Sequence, residues 1–164
     1  MIRLEHANLV VKNLDGSLHF ILTAFPEWGI RGRGRNTWHG KSRRWVHVGT
    51  DDYYLTLNDG AEGDNRDLAG HSPGLAHLGF IVDDVEAVIH RLEYAGFPLR
   101  TRGAEDRFRK TVYFVDPNGF EFEFMEYLSD NPRERNHYSN SGATTVDSSF
   151  TGLIRSDQAT LIGA

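Results

Sequence analysis

The chain has no cysteine among its 164 residues, which removes disulfides, thiolate metal ligands and thiol nucleophiles together. Long apolar runs are also missing. No segment approaches the roughly 20 residues that a helix needs to cross a bilayer. The first residues, Met1 to His6, enter a strand-like pattern directly, without a signal-peptide hydrophobic region. Excess positive charge is absent as well. The formal net charge is −5, which argues against nucleic acid or an anionic membrane surface as a partner. The expectation is a cytoplasmic protein with no nucleic-acid and no membrane partner. Its length suits one domain, or two small intimate halves, burying a real core.

What is present is a set of strands with marked alternation. Asp116-Pro117-Asn118-Gly119 reads as a turn, because Pro fixes φ and Gly supplies a left-handed position. Behind it, Phe120, Phe122 and Phe124 alternate with Glu121, Glu123 and Met125, so the aromatics pack while the carboxylates face elsewhere. Earlier in the chain, Ile2 to Val11 reads as a strand. Asn13 is an N-cap for a helix with Leu14, Leu18, Ile21, Leu22 and Phe25 on one face, stopped by Pro26. Gly29 to Gly40 reads as a strand with a mobile loop, and Arg43 to Val48 and Tyr53 to Leu57 as two further strands. Arg31, Arg33 and Arg35 alternate with glycines there, as on a solvated strand face. Ala61 to Pro73 is an aperiodic connection.

The second half repeats the plan. Leu75 to Val82 is a strand, and Asp83 with Glu86 resembles a capping box. Val85, Val88, Ile89 and Leu92 then define a helix ending at Gly96, followed by strands at Phe97 to Thr101, Thr111 to Val115 and Phe120 to Tyr127. His6-Ala7-Asn8-Leu9-Val10-Val11 matches His77-Leu78-Gly79-Phe80-Ile81-Val82, and Tyr53 to Leu57 matches Phe120 to Phe124. The chain is therefore read as a duplication in which His6 is equivalent to His77, and Thr56 to Glu123. By strand parity His6, Asn8, Tyr54, Thr56, His77 and Glu123 all lie on the face turned from the helices. Two imidazoles and one carboxylate make a donor set for a divalent ion with open positions. On the same count His47 matches Phe114, which turns it away from the site. His39 and His71 fall in loops.

These pieces, with Tyr113-Phe114-Val115-Asp116-Pro117-Asn118-Gly119 leading to Glu123, make the sequence resemble the vicinal oxygen chelate superfamily: glyoxalase I, extradiol dioxygenases, and fosfomycin- and bleomycin-resistance proteins. The resemblance covers about residues 2 to 127. It implies an α+β fold, paired βαβββ modules forming a cupped mixed sheet with helices on the outer face. Residues 1–128 would form one such domain, with modules at about 1–60 and 72–128, and 129–164 a polar tail. It implies one divalent metal ion (Fe, Mn, Zn or Ni) on His6, His77 and Glu123, a small oxygenated substrate, and a homodimer in which the tail lies on the partner. Tyr113 and Tyr54 would be catalytic, with Asn8, Thr56, Arg107 and Arg109 around the substrate.

Departures from the resemblance narrow it. Thr56 stands where glyoxalase I carries a fourth, glutamate ligand. The extradiol proton-managing histidines fall at Tyr54 and Ala104 and are missing, so ring cleavage is not the expected activity. The fosfomycin-resistance lysine and serine have no match between Gly103 and Thr111, although Arg107, Arg109 and Lys110 suit an anionic substrate. Bleomycin-resistance proteins generally lack the ligands kept here. The expectation is a metal-dependent glyoxalase-like enzyme. The competing class is a protein that binds a small molecule or antibiotic without turning it over.

Overall fold

The structure, a computed structural model, describes residues 2–138. The element order is β1 (His6–Val10), α1 (Leu14–Ala24), β2 (Gly29–Trp38), β3 (Lys41–Gly49), β4 (Tyr54–Asn58), β5 (Leu78–Ile81), α2 (Val85–Tyr94), β6 (Thr101–Arg102), β7 (Arg109–Val115), β8 (Glu121–Tyr127) and α3 (Pro132–Arg135). The fold class is α+β. Two four-stranded sheets run β1-β4-β3-β2 and β5-β8-β7-β6, each pairing its first and last strands parallel and the rest antiparallel. Each sheet is thus one βαβββ module, and the second repeats the first strand for strand.

Alternation decides which face of each sheet is buried. Phe122 and Phe124 are wholly buried, as are Val48, Leu57, Val112 and Phe114, and Leu9, Val46 and Leu55 nearly so. Helix α1 buries Phe20, Ile21 and Ala24 against this layer. Its Phe20 ring lies 5.0 Å from Phe122, and the neighbouring Phe25 ring 4.7 Å from Phe80. The helix of the first module therefore packs on the sheet of the second, and both modules share a single core. Burying this much aromatic surface, at about 25 cal/mol per Å² of apolar area, is what holds the modules together.

A polar clamp fixes how they meet. The Asn118 Oδ1 accepts the backbone N–H groups of Lys12 (2.9 Å) and Asn13 (2.8 Å). Its Nδ2 donates to the Asn13 carbonyl (2.8 Å) and to Ser17 Oγ (2.7 Å). The buried Asp116 carboxylate accepts the Ser17 hydroxyl on one oxygen and the Asn118 and Phe120 N–H groups on the other. Gly119 takes φ +82° to close the turn. The Asp-Pro-Asn-Gly turn is thus also the latch between modules.

Several sequence expectations shift. Gly29 to Gly40 is strand down to Trp38, its register shifting once between Ile30 and Gly32, rather than a strand with a mobile loop, and it turns at His39-Gly40 into β3. The α2 cap is Asp84, whose carboxylate accepts the N–H groups of Glu86 and Ala87. Glu86 sits too early to close a capping box and pairs with Arg102 instead, at 2.7 Å. Residues 129–138 fold back on their own chain: Asn131 caps α3, and the Arg109 guanidinium donates to the His137 carbonyl at 2.8 Å. The remainder of the expected tail lies outside the described residues. Among the described residues no helix is long and apolar enough to cross a membrane.

Candidate functional site

The faces turned from the core carry the polar residues in two separate groups. On the first sheet a cavity of about 370 Å³ is lined by His6, Asn8, Trp45, His47, Tyr54 and Thr56, with Asn36, Trp38 and Asn58 at its end. On the second, a cavity of about 380 Å³ is lined by Arg109, Thr111, Tyr113, Glu123, Met125 and neighbours. No residue lines both. A larger cavity of about 640 Å³, between Val10–Asn13, the β2–β3 turn and Pro117–Asn118, contains none of the expected ligands. Chemistry, not size, marks the first two.

In the second group His77, just ahead of β5, brings Nε2 to 3.2 Å from Glu123 Oε2. Tyr113 lies opposite Glu123 in the β7–β8 register and donates its hydroxyl to Glu123 Oε1 at 2.6 Å. Burial first, and then this donation to a carboxylate, push the Tyr113 phenol above its ordinary value, so it remains a donor. Gly79 faces Glu123 across the β5–β8 pair, where a Cβ would stand 3.2 Å from Oε2. Glu121, one position along the same face, is engaged by Arg100. Its other oxygen lies 4.0 Å from His77 Nδ1, so Glu123 is the nearer of two carboxylates that face His77. An imidazole nitrogen and a carboxylate oxygen side by side, the carboxylate held by a phenol, is how two metal ligands and their outer support are arranged.

In the first group His6 stacks on Tyr54 (centroids 4.9 Å apart, 15° between planes) and its Nδ1 meets Glu5 Oε2 at 2.9 Å, leaving Nε2 free of both. His47 lies against the same ring at 4.8 Å. Asn8 accepts a hydrogen bond from Asn58 Nδ2 at 2.8 Å, and Thr56 is buried beside it. Burial, then the Arg31 cation and His6, hold His47 below its ordinary value and favour the neutral ring. Among the described residues no three His, Asp or Glu side chains gather closely enough to hold an ion. One chain thus brings His77, Glu123 and Tyr113 together and leaves His6, Asn8, Tyr54 and Thr56 in the other cavity.

Arg109 lines the second cavity but is engaged by His137 and by Asp106 at 3.4 Å. Arg107 lies over the ring of its neighbour Phe108, outside both cavities. His39 lines the larger cavity instead.

His47 corrects the sequence reading. The register pairs His47 with Thr56 and Tyr113 with Glu123, so His47 is the counterpart of Tyr113, not of Phe114. The β3–β4 connection is one residue shorter than β7–β8, and counting across it slips the parity. Val46 and Val48 are both core residues, and that alternation alone would have placed His47 correctly. Trp45 was also missed. Its indole lies flat against β2, where a Cβ on Gly34 would come within 3.0 Å and one on Gly32 within 3.6 Å. The glycine spacing of β2 makes room for that ring.

A family model described as the Glyoxalase/Bleomycin resistance protein/Dioxygenase superfamily matches residues 3–124. Among solved structures, the glyoxylase/bleomycin resistance protein/dioxygenase domain from Frankia sp. EAN1pec is 24% identical with a TM-score of 0.63, over 77% of this chain and 98% of that one. A glyoxalase family protein from Bacillus cereus is 17% identical with a TM-score of 0.66, over 79% and 96%. A mutant of the fosfomycin resistance protein FosX from Listeria monocytogenes, complexed with Mn(II) and 1S,2S-dihydroxypropylphosphonic acid, is 17% identical with a TM-score of 0.62, over 82% and 98%. At these identities the structural likeness speaks for the fold.

Proposed function

We propose, from the premise that this chain belongs to the Glyoxalase/Bleomycin resistance protein/Dioxygenase superfamily, that it is a metal-dependent enzyme acting on a small substrate with two neighbouring oxygens, its site completed between two copies. The observation that carries this is the 3.2 Å approach of His77 Nε2 to Glu123 Oε2, with Tyr113 holding the other carboxylate oxygen. Those two residues fit a divalent ion of the Fe, Mn, Zn or Ni kind, and His6 is the third donor. The ion, when bound, would supply Lewis acidity toward two adjacent substrate oxygens.

The separation of His6 from the other two supports a homodimer. Both β1, which starts at His6, and β5, which follows His77, are edge strands of their sheets. Each leaves apolar side chains exposed, Val10 on one and Ile81, 65% exposed, on the other. An exposed edge of this kind is normally paired or covered. Setting β1 of one copy beside β5 of its partner unites His6 with the partner's own second group, and the two-fold axis makes two such sites.

The remaining roles belong to the chain's own side chains. Tyr113, kept protonated by burial, fixes the Glu123 carboxylate so that Oε2 faces His77. Tyr54 holds the His6 ring flat and so aims its Nε2. Asn8 and Thr56 form the floor on the His6 side, and Arg109 stands at the rim of the opposite cavity. His47, neutral and directed into the first cavity, is placed to accept a proton from a substrate.

The test is complementation. His6→Ala and His77→Ala homodimers should each lose the ion. Co-refolded together they should regain about a quarter of the wild-type content, because about half of the dimers are mixed and one of the two sites in each mixed dimer has every ligand. Full content in His77→Ala or Glu123→Ala, or no recovery on mixing, would sink the reading. Consumption of an oxygenated substrate by metal-loaded but not metal-free protein separates an enzyme from a sequestering protein.

A further inference from the structure

The row Arg31, Arg33, Arg35 alternates with glycine, and an uninterrupted strand would set all three arginines on one face. The register does not run uninterrupted. Gly29 pairs with Gly49 and Ile30 with Val48, but the next pair is Gly32 with His47. Arg31 is the extra residue of a β-bulge. Beyond it, Gly32 and Gly34 share the face of His47 and Trp45, while Arg33 pairs with Val46 and Arg35 with Arg44 on the other. One inserted residue therefore divides the arginines and clears the cavity face of β2 for the Trp45 indole. Arg31 alone of the three lies over Tyr54, a residue of the cavity wall, with its guanidinium carbon 4.2 Å above the ring that His6 and His47 also touch.

Bulges concentrate next to active sites, where they re-aim a side chain. This one delivers a cation that has no carboxylate within ion-pair distance among the described residues, unlike Arg44 with Asp59, Arg100 with Glu121 and Arg102 with Glu86. Glu5, the acid beside His6, has its Oε2 at His6 Nδ1. The Tyr54 face steadies the Arg31 guanidinium without neutralising its charge. Glycine at position 32 keeps the next position free of a side chain, and the Trp45 ring occupies that place, 3.6 Å from where a Cβ would stand.

We infer that Arg31 is a specificity-determining residue that selects substrates bearing an anionic group, a carboxylate or an oxyacid of phosphorus or sulfur, next to the pair of neighbouring oxygens. This rests on the function proposed above and names its substrate class. Guanidinium recognises such groups through forked, charge-assisted hydrogen bonds that a neutral analogue cannot make. The position on the His6 side sets the anion against the first module, while the reacting oxygens lie toward His77 and Glu123.

The test compares 2,3-dihydroxypropane-1-sulfonate with glycerol, a matched pair in which only one member is charged and the sulfonate itself is a weak metal ligand. Binding to the Mn(II)-loaded full chain is followed by calorimetry and by tryptophan fluorescence. Wild type should prefer the sulfonate by about tenfold or more, the worth of one charge-assisted contact. Arg31→Met should abolish that preference, and Arg31→Lys should keep part of it, with metal content and dimer mass unchanged in both. Preference surviving in Arg31→Met, or no preference in wild type, overturns the inference. Wild-type protein that binds no Mn(II) overturns the metal reading instead. The sulfonate preference, measured by fluorescence on the metal-free chain, then still decides the role of Arg31.

Discussion

Replacing Asn118 by alanine removes four side-chain hydrogen bonds at one stroke. Two are accepted from the Lys12 and Asn13 N–H groups and two are donated to the Asn13 carbonyl and Ser17 Oγ. Every one of them joins the turn of the second module to the first, three at the β1–α1 connection and one at Ser17 in the first turn of α1. A hydrogen bond contributes about 0.5–1.5 kcal/mol net, so the four span about 2–6 kcal/mol. Lys12 and Asn13 are exposed, and water can replace part of what their amides lose, which puts the expectation near the lower end, about 2–3 kcal/mol. With a urea slope of about 1–3 kcal/mol per molar for a small protein, the midpoint should fall by about 1–2 M. Asn118→Asp is the internal control. It keeps both accepted bonds and loses both donated ones, so it should cost roughly half as much as alanine. Because Asp116 still forms the turn, the slope should not change in either variant. An Asn118→Ala midpoint within a few tenths of a molar of wild type would refute the clamp, and so would equal losses in the two variants.

Two further outcomes follow from the packing and the charges. Gly34→Val would place its Cβ about 3 Å from the Trp45 indole, so the ring must leave its seat; near-UV circular dichroism should change while far-UV spectra stay the same, and unchanged near-UV signal would contradict the seating. Burial alone raises the Asp59 carboxyl, but hydrogen bonds from the Arg44 side chain and backbone, with the Arg44 and Arg35 charges, bring it below its ordinary value. A carboxylate depressed in the folded state contributes fully above its unfolded pKa of about 4 and loses that contribution as pH falls through the folded value. Asp59→Asn should therefore flatten the acid limb of a stability-against-pH curve, and an unaltered limb would dismiss the pair.

Sequence alone carried the fold because hydrophobic period and duplication agree. Phe122 and Phe124 are the buried layer that alternation predicts, Asn13 caps α1 through Gly16 N–H, and His6 and Thr56 sit in the register that His77 and Glu123 repeat. The misses have local causes. Asp83 and Asp84 are both of a residue type that caps helices, and only the position of Val85 as the first helical residue marks Asp84 as the cap. His47 was misplaced by one residue in a turn length. Arg31 was invisible as a special residue because a bulge has no compositional mark here: the Gly-Arg alternation reads smoothly through it, and only the pairing partner reveals the inserted residue.

The location of the third donor is a different kind of problem. Duplication makes His6 and His77 equivalent, and equivalence in a two-fold arrangement predicts proximity. It does not say which copy supplies the partner. That choice is made by the core. Phe20 and Phe25 of the first module pack on Phe122, Phe80 and Phe124 of the second, which spends each module's apolar face inside its own chain. The polar faces are then left pointing outward, each with part of the proposed ligand set beside a sheet edge unpaired among the described residues. The same aromatic residues that made the fold legible are thus what divides the candidate site, and the proposed assembly of two chains is the arrangement that would complete both the core and the proposed ligand set.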